Sequence, residues 1–315
     1  MAMRLYRSLE AARTGFAPSA LTIGNFDGVH AGHRAIMRRV AAVGAEHGWK
    51  PSVLTFDPHP AKIVAPARAP RLLTTLDQRC ALFEQAGIEQ VLALPFTSEI
   101  ALLTPEEFAA SVLDRSLGAR AVLVGDNFRF GHRQAGDTRL LTELGRAHGF
   151  FVEVVPAVTM RGGPISSSEV RRLVERGKVS RAGRLLERPY ALSGEVVAGH
   201  GVGSRQTVPT LNLKTAAEVL PLRGVYITRT RDRDSARTWP SISNLGYRPT
   251  FGGDEELSIE TFLLAPLAGP SPSRIDVEFL RRVRDERKFE SPEALRAQIL
   301  RDAARAQTYF RRRHM

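Results

Sequence analysis

A chain of 315 residues that is 43% hydrophobic and 25% charged is long enough for about two ordinary domains and apolar enough to bury a core in each, which excludes a disordered or fibrous protein. No apolar run approaches the roughly 20 residues of a membrane helix, and the stretch from Met1 to Ser19 lacks the apolar core of a secretory signal. The single cysteine, Cys80, excludes an intramolecular disulfide and a thiolate zinc cluster, so a cytoplasmic protein is expected. The net charge of +12 admits nucleic acid or smaller polyanions as partners. The arginine clusters at Arg171-Arg172, Arg281-Arg282 and Arg311-Arg312-Arg313 are not interleaved with aromatics as a nucleic-acid stacking platform would be.

From Ala20 to about Arg176, short apolar runs alternate with helical periodicities, the pattern of a parallel sheet with crossover helices. Strands are predicted over Ala20 to Gly24, Ser52 to Phe56, Gln90 to Leu94, Ala121 to Gly125 and Phe150 to Val155. The first strand runs into Gly24-Asn25-Phe26-Asp27-Gly28-Val29-His30-Ala31-Gly32-His33, after which Ile36, Met37, Val40 and Val43 recur at helical spacing. His30 and His33 therefore fall on one face at the amino end of a helix, where unpaired N–H groups and the macrodipole favour an anion. The glycines let backbone approach phosphates. Two histidines near a helix start are also compatible with solvated or satisfied core residues. Cys80, among Leu76, Leu82 and Phe83, reads as a core or partly buried thiol.

Thr104-Pro105-Glu106-Glu107 combines an N-cap threonine, a first-turn proline and a capping-box glutamate, and predicts a helix through about Leu117. The loop Val124-Gly125-Asp126-Asn127-Phe128-Arg129-Phe130-Gly131 follows a strand and should reach the sheet edge where nucleotides bind, although its composition is also that of a plain turn. Pro164-Ile165-Ser166-Ser167-Ser168-Glu169-Val170-Arg171 offers hydroxyls and an N-cap before a short helix that carries Arg171.

Beyond the Arg176 to Tyr190 region the texture changes to short β-rich runs: Leu192 to Ala198, Gly224 to Thr230, Ser241 to Leu245, Leu257 to Leu264 and Arg274 to Leu280, spaced as in a small antiparallel barrel. Ser291-Pro292-Glu293 opens a closing helix on which Leu295, Ile299, Ala303 and Phe310 approximate one apolar face. The glycine-rich segment Gly199 to Asn212 precedes no helical pattern, which argues against a dinucleotide fingerprint. In Ser258-Ile259-Glu260-Thr261-Phe262-Leu263 polar and apolar residues alternate, and by itself Glu260 reads as the solvated face of a strand.

Gly-x-x-Asp-Gly-x-His-x-Gly-His resembles the signature of the nucleotidylyltransferase superfamily, and Phe26 before Asp27 resembles its flavin-nucleotide branch. The resemblance implies a Rossmann-like α/β domain over residues 1–180 in which FMN attacks the α-phosphorus of ATP and pyrophosphate leaves. His30, His33 and Arg171 would be catalytic. Gly24, Asn25, Phe26, Asp27, Gly28, Gly32, Ser166 and Ser167 would bind ATP, and Asn127 and Phe130 the flavin. Ser168 stands where that family has threonine, so a hydroxyl is retained.

Pro209-Thr210-Leu211-Asn212 resembles the riboflavin kinase signature, which implies a β-barrel domain over residues 181–315. There Gly201, Gly203 and Arg205 would join Thr210 and Asn212 in binding ATP, with Thr210 and Asn212 also holding Mg2+. Glu260 would be the general base for riboflavin's terminal hydroxyl, and Arg284 and Phe289 would lie near the flavin. Three departures stand out: Leu211 in place of alanine, Thr207-Val208 in place of Gly-Phe, and Ser204 in place of arginine. Together the motifs resemble a bacterial bifunctional riboflavin kinase and FMN adenylyltransferase, which makes FMN and then FAD, with no nucleic acid and no membrane as partners. A nucleotidylyltransferase with another phosphate acceptor, or a non-catalytic nucleic-acid-binding protein on this scaffold, are the alternatives. Oligomeric state is not legible.

Overall fold

The computed structural model describes residues 3–160, 163–197, 210–235, 237–249, 255–267, 269–287 and 289–313. The chain divides into two compact units, Met1–Ser167 and Ser168–Met315. The first runs through β1 (Arg4–Tyr6), α1 (Leu9–Gly15), β2 (Ser19–Ile23), α2 (Ala31–His47), β3 (Lys50–Phe56), α3 (Ala61–Val64), α4 (Leu76–Gln85), β4 (Gln90–Leu94), α5 (Ser98–Leu102), α6 (Pro105–Phe108), β5 (Ala119–Gly125), α7 (Thr138–His148) and β6 (Phe151–Val155). A short hairpin, β7 (Thr159–Met160) and β8 (Gly163–Pro164), follows.

Strands β1 to β6 form one parallel sheet in the order β1-β4-β3-β2-β5-β6. Alternation along each strand loads both faces. Leu21, Leu54, Leu92 and Val122 pack with Phe108, Val112 and Leu113 on one side. Ala20, Val53, Val91 and Leu123 pack with Met37, Val40 and Phe83 on the other, and Cys80 is buried in that layer as expected. The order reverses at β2, which lies between β3 and β5. The crevice beyond its carboxyl end is the topological switch point where such sheets bind ligands.

The five predicted strands of this unit are present, whereas β1 and α1 were too short to give a periodic signal. The predicted helix from Thr104 is also altered. Its capping box forms, with Thr104 Oγ1 accepting from Glu107 N–H at 3.2 Å and Glu107 Oε2 from Thr104 N–H at 2.9 Å. After α6, however, the coil widens to a π-helix over Ala109–Asp114, which buries Ala109, Val112 and Leu113.

Helix α8 (Ser167–Glu175) begins on the last residue of the first unit, and the second unit runs from it through α9 (Val179–Leu186), β9 (Tyr190–Val197), β10 (Thr210–Lys214), β11 (Gly224–Asp232), β12 (Thr238–Pro249), β13 (Glu255–Leu263), β14 (Arg274–Arg284) and α10 (Pro292–Arg311). The six strands close an antiparallel barrel in the order β10-β13-β12-β11-β14-β9. This is the expected class with one more strand than predicted. Thr210 to Asn212 open β10, a strand hidden in the sequence by the glycine-rich stretch before it. The interior carries a chain of buried hydroxyls from Thr230 through Ser241, Thr228 and Ser243 to Thr261, each link 2.8 to 2.9 Å.

The closing helix is present, but its buried stripe differs from the apolar one predicted. Gln298, Asp302, Ala306 and Phe310, at i+4 spacing, turn inward, while Leu295 is 40% exposed. Two polar residues take inward positions because β14 presents Arg284, whose Nε donates to Asp302 Oδ2 at 2.8 Å, and Gln298 Nε2 completes the pair by donating to Asp302 Oδ1 at 2.8 Å.

Candidate active sites

The turn after β2 is backbone under strain. Phe26 and Val29 adopt φ of +49° and +41°, costing on the order of 1–3 kcal/mol each. Val29 is β-branched, the kind of residue that avoids this region most strongly. Phe26 is nevertheless buried, edge-on to Phe83 and to His33. Gly24 lies close beneath it, and a Cβ there would come within 3.1 Å of the Phe26 ring. Asp27 is buried as well. Its Oδ1 accepts from Leu73 N–H at 2.9 Å, Thr74 N–H at 3.1 Å and Thr74 Oγ1 at 3.2 Å, while Gly28 N–H donates to the same hydroxyl at 2.9 Å. Ser167 Oγ donates to the Asp27 carbonyl at 2.8 Å, tying the serine motif to this loop.

His30 caps α2, its Nδ1 accepting from His33 N–H at 3.4 Å. The two rings stack with centroids 3.6 Å apart. A Cβ on Gly32 would come within 3.2 Å of His30 Cε1, so the glycine gives the stack its room. Burial, and then the neighbouring His30, hold His33 well below the usual imidazole range, and its buried Nδ1 has no hydrogen-bond partner among the described residues. A stacked histidine pair at a helix N-terminus, with the buried His33 Nδ1 unpartnered among the described residues, is a place where an anion would be favoured.

A cavity of about 850 Å³ opens beside this pair, reaching Gly24, Asn25, Phe26 and His33 on one side and Gly125, Asn127, Phe128 and Phe130 on the other. The loops after β2 and β5 thus meet at the switch point. Asn127 is exposed, whereas Phe130 is buried, stacked on Phe128 at 5.6 Å. Gly136 seats it, because a Cβ there would be 2.5 Å from the Phe130 ring. Sequence reading missed Arg79 and Thr74 of the segment entering α4, which grip the strained loop from 46 to 54 residues away. Their only local signal is the capping box of Thr75 and Gln78, which marks a helix start and nothing more.

In the barrel, register aligns Asn212 of β10 with Glu260 of β13, and Glu260 with Asn244 of β12. Thr210 lies two residues before Asn212 and shares its face. Leu211 points the other way and is buried, 3% exposed. On the Glu260 face a cavity of about 260 Å³ is lined by Asn244, Glu260, Phe262, Arg284, Glu286 and Phe289, among others. The Phe289 ring lies under Arg284 and Arg287, with guanidinium carbons 5.8 and 4.9 Å from its centroid. Leu295 and Ile299 line this cavity, which accounts for their absence from the helix's buried stripe. Asn244 and Glu286 were missed as site residues. Asn244 fell within the predicted strand Ser241 to Leu245 with no local signal of its own, and Glu286 reaches the site because Gly246 on β12 has no side chain in its way. Arg171 lies on α8. Gly201, Gly203 and Arg205 lie outside the described residues.

A switch-point anion site on a parallel sheet, followed by a barrel with a carboxylate between two amides, defines a two-site nucleotide-dependent transferase. The comparisons make this particular. The FAD synthetase family matches residues 14–169 and the riboflavin kinase family residues 186–310. The bifunctional riboflavin kinase/FMN adenylyltransferase of Pseudomonas fluorescens is 35% identical over 96% of this chain and 97% of its own. Its counterpart in Escherichia coli K12 is 34% identical over 92% of each. A crystal structure of a protein from Streptococcus pneumoniae, described as a macrolide-efflux protein, superposes with a TM-score of 0.85 at 25% identity, covering 98% of this chain and 99% of that one. No helix among the described residues here is long and apolar enough to cross a membrane. The chain belongs to the bifunctional riboflavin kinase/FMN adenylyltransferase family.

Proposed function

We propose that this chain makes FAD in two steps, each on its own site: riboflavin and ATP give FMN and ADP on the barrel, and FMN and a second ATP give FAD and pyrophosphate on the α/β unit. The observation that carries the reading is the presence on one chain of both constellations, the stacked His30–His33 pair beside its cavity and the Asn212–Glu260–Asn244 row beside another. Residues 1–180 serve the second step and 181–315 the first.

In the barrel, Glu260 accepts the proton of riboflavin's terminal hydroxyl as that oxygen attacks the γ-phosphorus, and ADP carries away the bonding pair of the broken P–O bond. Thr210 and Asn212 hold ATP. Their hydroxyl and amide oxygens are the hard donors that Mg2+ prefers, and the described residues contain no cluster of three His, Cys, Asp or Glu, which fits an ion carried mainly by the nucleotide. When bound, the ion neutralises charge on the transferred phosphoryl group. Gly201, Gly203 and Arg205 complete this ATP site, and Arg284 and Phe289 bound the flavin.

On the α/β unit an oxygen of the FMN phosphate attacks the α-phosphorus of ATP and pyrophosphate leaves, with no covalent enzyme intermediate. His30 accepts a bond at Nδ1, so its neutral ring presents Nε2–H as a donor, and His33 and Arg171 add further donors for the phosphates. Gly24, Asn25, Phe26, Gly28 and Gly32 form the cradle, with Ser166 and Ser167 beside it. Asp27 serves ATP by fixing that cradle, and Asn127 and Phe130 face the flavin. Polyanionic nucleotides would use part of the net charge of +12, and neither step calls for a nucleic-acid partner. ATP as co-substrate places the work in the cytoplasm.

Chromatographic separation of FMN and FAD, after incubation with riboflavin, ATP and Mg2+, tests the reading. His30→Ala and His33→Ala should suppress FAD by about 100-fold or more and leave FMN formation intact. Glu260→Gln should do the reverse, still converting added FMN to FAD. A wild-type chain that makes neither product sinks the proposal.

A further inference from the structure

We infer that Arg79 is a positioning residue for adenylyl transfer, acting with Thr74 as a clamp that holds the strained loop Asn25–Gly28 in its reactive shape. The inference rests on the assignment of His30 and His33 to that step.

Arg79 is an unusual residue to find where it is, 4% exposed on a helix that packs into the core layer. Buried arginines are rare because desolvation of the charge is costly, and burial here does lower its affinity for the proton. Its nearest carboxylate, Asp57, is 4.0 Å away, at the edge of ion-pair range. What Arg79 contacts closely is backbone and hydroxyl: Nη1 donates to the Asn25 carbonyl at 2.8 Å and to Thr55 Oγ1 at 3.0 Å, and Thr55 Oγ1 itself donates to the Asn25 carbonyl at 3.3 Å. Such an investment in one carbonyl needs a reason beyond packing, which an apolar side chain would serve better.

The reason lies in the next residue. Fixing the Asn25 carbonyl fixes the peptide plane that leads into Phe26, the first of the two residues at positive φ. Five residues before Arg79, the Thr74 hydroxyl donates to Asp27 and accepts from Gly28 N–H, while the Leu73 and Thr74 N–H groups close on the Asp27 carboxylate. Arg79 therefore grips the loop where it leaves β2, and Thr74 where it turns towards α2. Between these grips the backbone is held in a conformation it would otherwise leave, and His30 begins two residues beyond. Relaxation of Phe26 would take its ring off the edge of His33, 5.1 Å away, and with it the support of the histidine stack.

The test measures steady-state FAD formation from FMN and ATP in the full-length Arg79→Ala, Thr74→Val and His33→Ala variants, with FMN formation from riboflavin on the same preparations. Arg79→Ala should lower kcat for FAD by about 100-fold with little change in KM for FMN or ATP, as expected when reacting groups are misplaced but substrates still bind. Millimolar guanidinium should restore part of the lost kcat by refilling the site, a response that a general loss of folding would not give. Thr74→Val keeps the buried arginine and the volume of the side chain, and should lower kcat about tenfold by freeing Asp27 and Gly28. It keeps the inference testable if Arg79→Ala does not fold. Wild-type kcat in both variants while His33→Ala is inactive overturns the clamp and leaves the reading of His30 and His33 standing. Wild-type FAD formation by His33→Ala overturns that reading, and the clamp with it. Wild-type kcat in Thr74→Val, together with a loss in Arg79→Ala that guanidinium does not repair, also overturns the clamp, because Arg79 would then serve only the fold.

Discussion

His33 is held neutral by burial and by the neighbouring His30, and this ties the stability of the first unit to pH. The folded-state value lies below the ordinary 6.5, so as the pH falls through 6.5 the unfolded chain binds a proton that the folded chain refuses. The stability gained from the neutral ring is therefore complete above about pH 6.5 and is lost progressively below it. Thermal unfolding followed from about pH 8 down to about pH 5 should show a fall in Tm for wild type that is shallower in His33→Gln, which keeps a polar side chain and cannot titrate. Parallel curves for the two proteins would mean that the ring is already solvated in the folded state. The same argument gives the sign for ATP: an anion on the stack favours the protonated ring, so saturating nucleotide should lessen the acid loss in wild type.

At the scale of elements, the closing helix and the strand beneath it share a polar latch. Asp302, 2% exposed, holds Arg284 at 2.8 Å and receives Gln298, while Arg287 also reaches Gln298 and stacks over Phe289. Asp302→Asn removes the charge and leaves a half-buried guanidinium unpaired, a change that costs about 3–5 kcal/mol for buried pairs. The barrel should melt earlier and KM for riboflavin should rise, while FAD formation from added FMN is unchanged. Calorimetry and the two assays on one preparation check this, and an unchanged KM would detach the latch from flavin binding. The latch also marks where sequence reading stopped. Alternation of apolar runs is local, so the strands β2 to β6 and the N-caps at Thr104 and Ser291 were legible, whereas their spatial order, β4-β3-β2-β5-β6 beyond β1, was not. On α10 the visible stripe was Leu295, Ile299, Ala303 and Phe310; Phe310 does enter the core, but Leu295 and Ile299 line the cavity, and the rest of the core face is read only once Arg284 is known to lie opposite Asp302. The first site divides in the same way. His30, His33 and their helix were visible as a pattern, whereas the grip on Asp27 by residues 73 and 74 joins segments that no periodicity connects.

At the scale of the molecule, each unit closes its own core, and the residues lining each cavity come from one unit alone. On the proposed reading, the FMN made beside Glu260 already carries the phosphate that the second site takes up beside the histidine pair. The expected outcome is an intermediate that passes through solution. An equimolar mixture of His33→Ala, expected to make FMN but little FAD, and Glu260→Gln, expected to make FAD only from FMN, should then convert riboflavin to FAD. Free FMN should accumulate first, and FAD should follow after a lag that shortens as the Glu260→Gln protein is increased. Wild-type enzyme at the same site concentrations should show a comparable lag. FAD formation by wild type without detectable free FMN, beside a mixture that releases FMN and stalls, would instead mean that the product is handed on within one chain.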